Sequence, residues 1–149
     1  MRMHGITLAV AVMAIVTGGG ALGAANGAAA PGFTVTDTTG KAVRLADYRG
    51  KYVVLEWTNP ECPFVRKHYD SRNMQALQKE WGAKDVVWLA LDSTNASHPE
   101  FKTAEQMGDW MRAQGAAPAA TLLDATSATG RAYGARTTPH MFIINPEAM

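Results

Sequence analysis

Two apolar runs in the middle of the chain limit the folds that it can adopt. They occupy residues 52–57 and 85–92, and each consists mostly of consecutive apolar side chains. Such runs are typical of strands that are buried on both faces, because a strand with one face in water alternates apolar and polar residues. Strands of this kind need cover on each side. The chain is therefore expected to build layers around a central sheet.

A β-hairpin is predicted before the first of these runs. Residues 33–37 and 42–45 each alternate apolar with polar side chains, and a turn signal at residues 39–41 lies between them. The two short strands are therefore expected to pair in antiparallel fashion.

A long helix is predicted directly after the first apolar run. Pro63 opens it, the helix reaches about Trp81, and Gly82 offers it a stop. The positions expected to face inward are Phe64, Tyr69, Met74, Leu77 and Trp81.

The rest of the chain continues to alternate strands and helices. Thr103 and Gln106 form a capping-box pattern for a helix that ends near Gly115. Residues 120–123 and 141–144 are short apolar strands, with a short helix between them. The order after the hairpin is β-α-β-α-β-α-β, which favours an α/β sandwich around a central sheet.

The first 30 residues follow the pattern of a secretory signal peptide. Arg2 and His4 precede an apolar run at residues 6–16, and a Gly/Ala-rich stretch at residues 18–30 follows. The apolar run is far shorter than the roughly 20 residues that span a bilayer, so export is expected, with an uncleaved anchor as the alternative. Cleavage near residues 25–30 would leave residues 31–149 as one domain, without stable membrane insertion.

Charge and cysteine content narrow the function classes. The formal net charge is +1 and no basic stripe with interleaved aromatic residues is present, so nucleic-acid binding is not expected. Cys62 is the only cysteine, which excludes an internal disulfide. In the oxidising environment of exported proteins, a free thiol is a liability unless it is buried or used.

Cys62 lies where the first apolar run ends and a helix begins. Pro63 suits the first helical position, whose N–H has no intrahelical partner, so Cys62 is predicted to be the N-cap residue. The free N–H groups and the positive end of the helix dipole favour a thiolate there. The alternative is that the lone cysteine is a small buried apolar side chain.

Three segments of the chain resemble thioredoxin-fold proteins. They are the strand at residues 53–57, the helix start Glu-Cys-Pro-Phe-Val at residues 61–65, and Gly-Ala-Arg-Thr-Thr-Pro-His-Met-Phe-Ile-Ile at residues 134–144. The similarity is greatest to exported bacterial redoxins that act as thiol-disulfide oxidoreductases. It implies a thioredoxin-like fold with a central mixed sheet, flanking helices and an N-terminal hairpin. Since residue 149 follows a turn signal, a final strand and helix are expected to be missing, with a natural end at an edge strand as the alternative.

The resemblance also assigns roles to residues. Cys62 falls where the family keeps its attacking cysteine, and Thr138 and Pro139 fall on its cis-proline site, which with Pro63 would form the substrate groove. Glu56 falls where thioredoxins carry a buried acid that can move protons, and burial would raise its pKa. The alternatives are an ordinary trans proline and a Glu56 side chain that faces solvent.

Val65 stands where the family's second cysteine would be. Without that thiol, a dithiol cycle within one molecule is impossible. Cys62 could form a mixed disulfide with a protein or small-molecule thiol, form a sulfenic acid with peroxide, or have no redox turnover. Thiol-disulfide exchange through a single cysteine is the expected function.

A one-cysteine peroxiredoxin-like peroxidase with antioxidant activity is the first alternative. That family has Thr or Ser three residues before its cysteine, whereas this chain has Asn59 there and Thr58 one residue further back. The neighbouring Glu61 also disfavours it, since a negative charge raises the pKa of a thiol.

A non-catalytic binding module is the second alternative. It would hold a partner protein, or copper between Cys62 and a histidine such as His68 or His140. Two ligands at such spacing are a weak pattern, so neither a metal nor a cofactor is expected.

Overall fold

The structure is a computed structural model that describes residues 23–149. The apolar run of the expected signal peptide lies outside the described residues, so the signal peptide stays a prediction. Within the described part of the chain, no helix has the length and apolar character to cross a membrane.

Regular structure begins with the hairpin and then alternates strands with helices, as predicted. The hairpin pairs β1 (Thr34–Thr36) with β2 (Ala42–Arg44), and a 3-10 helix (Leu45–Tyr48) follows. The remaining elements are β3 (Val53–Trp57), α1 (Pro63–Asp70), α2 (Asn73–Gly82), β4 (Val87–Asp92), α3 (Ala104–Gln114), β5 (Ala120–Leu123), α4 (Ala128–Tyr133) and β6 (His140–Ile144).

Four strands form the central sheet in the order β5-β4-β3-β6. The β3–β4 and β4–β5 pairs are parallel, whereas β6 runs antiparallel to β3, so the sheet is mixed. Every residue of β3 and β4 is buried, which confirms that both apolar runs are covered on two faces. At the edge of the sheet, β6 leaves Ile143 75% exposed.

Two apolar clusters cover the sheet on opposite faces. On one face, Leu55 packs with hairpin residues and with Tyr133 of α4. On the other face, Val54 packs with Tyr69 of α1 and Met107 of α3. Burial of a large apolar side chain of this kind stabilises the fold by about 1.5–3 kcal/mol. The two clusters therefore hold β3, and the loop that follows it, in a fixed place.

The prediction of one helix from Pro63 to about Trp81 is wrong, because the chain forms two helices. Between them, Arg72 has φ 63°, a left-handed conformation that a right-handed helix does not contain. Its guanidinium donates to Gln114 O at 3.1 Å, and Gln75 Nε2 donates to Tyr69 O at 2.9 Å. Polar side chains thus provide hydrogen bonds at the break.

The inward positions predicted for that helix are only partly correct. Tyr69 and Met74 are buried and Leu77 is half-buried. Phe64 and Trp81, in contrast, are 67% and 42% exposed. Phe64 therefore presents an apolar ring to solvent in the first turn of α1.

Residues 23–30, the described end of the expected signal segment, contact the domain. Ala24 N donates to Ala132 O at 3.1 Å, and Ala30 N donates to Ala148 O at 2.7 Å. Cleavage near residues 25–30 stays a prediction, and it would remove the first of these contacts.

Candidate active site at the start of the first helix

Cys62 is the N-cap residue of α1, as predicted. Its backbone is extended, with φ −70° and ψ 123°, and Pro63 is the first helical residue. Cys62 N donates to Asn59 O at 3.0 Å, and Cys62 O accepts from Arg66 N at 3.0 Å. The side chain is partly exposed. The sulfur is therefore held at the carboxyl end of β3 without being sealed in the core.

The segment before Pro139 lies against the sulfur. The Thr138–Pro139 peptide bond is cis, as the resemblance implies, and Cys62 Sγ donates to Thr138 O at 3.1 Å. The fold thus joins two segments that lie 76 residues apart in the chain.

Partial burial raises the pKa of the Cys62 thiol, but hydrogen bonds to the sulfur outweigh this effect. A hydrogen bond from the Thr138 side chain lowers the pKa, as do the backbone N–H groups of Val65 and Phe64. The negative charge of Glu100 raises it. The net direction is below the ordinary value, so the helix start favours the thiolate.

The carboxylate of Glu61 is neutralised by two cations. Its Oε1 lies 2.7 Å from Lys102 Nζ, and its Oε2 lies 2.5 Å from Arg66 Nη2. The hydrogen bond and charge of Lys102, followed by the charge of Arg66, lower the pKa of Glu61. The sequence suggested that Glu61 would raise the pKa of the neighbouring thiol, and this pairing reduces that effect.

Asn59 shapes the loop between β3 and α1. Its Oδ1 accepts from Glu61 N at 2.7 Å, and its Nδ2 donates to Glu100 Oε2 at 3.1 Å and to Thr94 Oγ1 at 3.3 Å. The side chain therefore ties the Cys62 loop to the loop after β4.

Glu56 is fully buried, so the alternative that it faces solvent is wrong. Its Oε1 accepts from Tyr69 Oη at 2.9 Å, and its Oε2 accepts from Trp88 Nε1 at 2.7 Å and Gln78 Nε2 at 3.2 Å. Burial raises the pKa of Glu56, although these three hydrogen bonds oppose the rise. The sequence did not identify the three donors, which come from three different elements.

Glu56 and Cys62 lie on the same side of the sheet but are not directly joined. Among residues 23–149, no hydrogen bond links them. Both contact the apolar cluster around Tyr69, whose hydroxyl donates to Glu56.

Thr58 follows Glu56 by two positions, which places both side chains on one face. It is 1% exposed, and its hydroxyl has no hydrogen-bond partner within the described part of the chain.

A cleft of about 500 Å³ is lined in part by Asn59 and Thr138, which are neighbours of Cys62. It is bounded by the ends of β3 and β4, by α4 and by the segment that leads to the cis proline. The backbones of Asn59 and Thr138 contact Cys62. Cys62 itself is not among the residues that line the cleft.

His68 and His140 each contact another side chain. Nδ1 of His68 pairs with Asn73 Nδ2 at 3.1 Å, and the ring of His140 packs on Phe142 with centroids 4.5 Å apart. In the described ranges, no group of three or more His, Cys, Asp or Glu side chains can hold a metal ion.

Comparison with known proteins relates this site to a redox family. The AhpC/TSA family model matches residues 26–149. A Xenopus laevis protein named "Probable glutathione peroxidase 8-A" is 32% identical over 76 residues, which are 51% of this chain and 35% of that protein. The chain thus spans about a third of the length of this curated relative.

Solved structures show the same fold. An uncharacterized conserved protein from Geobacillus kaustophilus has a TM-score of 0.73 and 27% identity, over 80% of this chain and 63% of that one. The thioredoxin domain of a thiol-disulfide oxidoreductase from Bacteroides vulgatus has a TM-score of 0.65 and 20% identity, over 84% of each chain. The predicted thioredoxin-like fold is confirmed.

Proposed function

The chain belongs to the AhpC/TSA family, and from that premise we propose that it exchanges disulfides through one nucleophilic cysteine, Cys62. The observation that carries the proposal is the position of the sulfur. It is partly exposed, lies 3.1 Å from Thr138 O, and belongs to the N-cap residue of α1. Because the thiolate is the attacking form, donors that favour it raise the reactive fraction.

The exchange needs two steps and a second thiol from outside the chain. In the first step, the Cys62 thiolate attacks one sulfur of a disulfide, a new S–S bond forms, and the old one breaks to release a thiolate that takes a proton. In the second step, an external thiolate attacks the mixed disulfide and releases Cys62. Cys62 is the only cysteine of the sequence, and Val65, which the family resemblance aligns with the second cysteine, has a fully buried side chain, so the second thiol is proposed to come from outside.

We assign substrate positioning to Pro63, Thr138 and Pro139. Thr138 presents its carbonyl to the Cys62 thiol at 3.1 Å, so the backbone before Pro139 lies beside the sulfur. Pro63 starts α1 and leaves the N–H groups of the next residues free for the sulfur.

Glu56 is proposed to exchange protons with the site during turnover. Its carboxyl is buried and its pKa is raised, so it can hold a proton at a pH where an exposed glutamate is ionised. Tyr69, which donates to it, packs in the cluster that Cys62 contacts. Glu56 would act through neighbours and not by direct contact with the sulfur.

Peroxide reduction is a second candidate, because the family and the donors around the sulfur also suit it. The thiolate would attack one peroxide oxygen, the O–O bond would break, and Cys62 would become a sulfenic acid while water or an alcohol leaves. Two external thiols would then return it to the thiol.

Export to the periplasm is proposed from the N-terminal sequence pattern. Expression of the full chain in a Gram-negative host, followed by intact mass measurement of the periplasmic fraction, tests it. A product that begins near residues 25–30 supports export, and full-length protein confined to the cytoplasm contradicts it.

The decisive experiment compares wild type with Cys62→Ser in two assays. The first measures exchange with 2-hydroxyethyl disulfide, and the second measures hydrogen peroxide consumption with a supplied thiol. Exchange without peroxide turnover, lost in the variant, supports the proposal. Rapid peroxide turnover favours the second candidate, and inactivity in both assays would leave a binding module.

A further inference from the structure

Arg66 contacts each of the three residues that lead into α1. Its Nε donates to Pro60 O at 2.7 Å, and its Nη2 lies 2.5 Å from Glu61 Oε2. Its backbone N donates to Cys62 O at 3.0 Å. One residue near the start of the helix therefore holds the whole segment that carries the sulfur.

The planar guanidinium group of Arg66 permits this arrangement. It presents its N–H donors in a fixed fork, so it can bind the carbonyl of Pro60 and the carboxylate of Glu61 at the same time. A lysine carries the same charge on one flexible ammonium group and has no such fork. Arg66→Lys therefore removes the geometry of the contact and keeps its charge.

The same loop is also held by the segment that precedes α3. Glu61 Oε1 lies 2.7 Å from Lys102 Nζ, and Asn59 Nδ2 donates to Glu100 Oε2 at 3.1 Å. These contacts hold the loop against the segment before α3, whereas Arg66 holds it against α1. The Cys62 loop is thus fixed between two elements.

We propose that Arg66 is a positioning residue for disulfide exchange, which fixes the Cys62 loop so that the sulfur stays against Thr138 O. That contact, at 3.1 Å, means that a substrate chain whose sulfur Cys62 attacks must lie beside the segment before Pro139. A nucleophile that is already in place loses less freedom on reaching the transition state, so it reacts faster. Arg66 acts through the loop and not on the sulfur, and this role rests on the proposed exchange chemistry.

Loss of the Arg66 fork should change the rate of the thiolate and leave the pKa of the thiol. Burial raises the pKa of Cys62, and hydrogen bonds with Thr138 and the first turn of α1 lower it. Without the fork, Glu61 keeps Lys102, whose hydrogen bond is the largest cause of its lowered pKa. The Lys102 side chain is 25% exposed and that of Arg66 is 53% exposed, so solvent screens the Lys102 pair less. The carboxylate next to the sulfur therefore stays neutralised.

The test measures the reaction of Cys62 with three probes from pH 5 to 10 by intact mass spectrometry, which gives an apparent pKa and a limiting rate constant for each. The first probe is a disulfide-linked dimer of a short, neutral, capped peptide, from which attack releases one peptide thiol. The others, 2-hydroxyethyl disulfide and iodoacetamide, are small and need only an accessible thiolate. The variant is Arg66→Lys. The matched control, Arg112→Lys, makes the same change at an exposed helical arginine that pairs with Asp109.

In wild type, Cys62 should react with all three probes. Arg66→Lys should lower the limiting rate constant with the peptide disulfide about tenfold, because a small displacement of a reacting atom has a large effect on rate. The apparent pKa and the rates with the two small probes should not change. Arg112→Lys should match wild type throughout.

Three outcomes would overturn the inference and leave exchange at Cys62 intact. An unchanged rate with the peptide disulfide in Arg66→Lys would exclude a positioning role. A shifted apparent pKa, or an equal loss with all three probes, would show an effect of charge or of local unfolding. A wild type that reacts with 2-hydroxyethyl disulfide but not with the peptide disulfide would show that no substrate chain uses the position of the sulfur. A wild type that reacts with iodoacetamide alone would instead defeat the proposed function itself.

Discussion

Replacement of Glu56 by Gln should change how the stability of the protein depends on pH. The carboxyl is fully buried, and its pKa in the folded state is raised above the ordinary value of 4.5. Between those two pKa values, the folded state binds more protons than the unfolded state, so the free energy of unfolding falls as pH rises. The limiting slope for one group is about 1.4 kcal/mol per pH unit.

Gln can occupy this site because the surrounding groups can rearrange. Its amide oxygen can accept from Trp88 and Gln78, as Glu56 Oε2 does now. Its NH₂ group can then donate to Tyr69 Oη, whose proton can turn to Met111 Sδ at 3.9 Å. Glu56→Gln should therefore fold, and it should lack the loss of stability that wild type shows above pH 4.5.

The assay is urea denaturation of both proteins at several pH values from 5 to 8. The difference between their free energies of unfolding isolates Glu56, since all other titratable groups are shared. Asp92→Asn serves as a control for the second buried carboxyl whose pKa burial raises. If wild type and Glu56→Gln show the same pH dependence, Glu56 does not titrate in a buried site and its proposed proton role fails.

Three further substitutions test other parts of the structure by denaturation. Thr58→Val should stabilise the fold by about 1 kcal/mol, because it removes a buried hydroxyl without a partner; a loss of stability would contradict this. Ser93→Ala should destabilise by about 1–3 kcal/mol, because Ser93 Oγ donates to Asp124 and accepts from Trp57, and an unchanged midpoint would refute it. Thr103→Ala should cost about 1 kcal/mol through loss of the α3 cap, and no change would show that the cap is dispensable.

The sequence predicted the parts of the fold that depend on local patterns. The apolar runs predicted β3 and β4, and Pro63 predicted the start of α1. The capping box at Thr103 predicted the start of α3. The break at Arg72 could not be predicted, because the groups that satisfy it come from α2 and from the distant end of α3. No glycine or proline marks that position.

In the candidate site, too, the sequence predicted the features that depend on neighbouring residues but not those that depend on distant contacts. Cys62 as N-cap followed from its neighbours, whereas its contact with Thr138 came only from a family resemblance. The alternation of side chains along β3, continued one residue past its end, places Thr58 on the face of Glu56. The donors to Glu56 lie on α1, α2 and β4, so only the packed structure brings them together.

The most direct test is the pKa of the Cys62 thiol, measured from the rate of alkylation by iodoacetamide across pH 5–10. The first turn of α1 and the Thr138 side chain favour the thiolate, so the apparent pKa should lie below the free-thiol value of about 8.5. A value at or above 8.5 would show that the helix start does not activate the sulfur, and single-cysteine exchange at Cys62 would lose its physical basis.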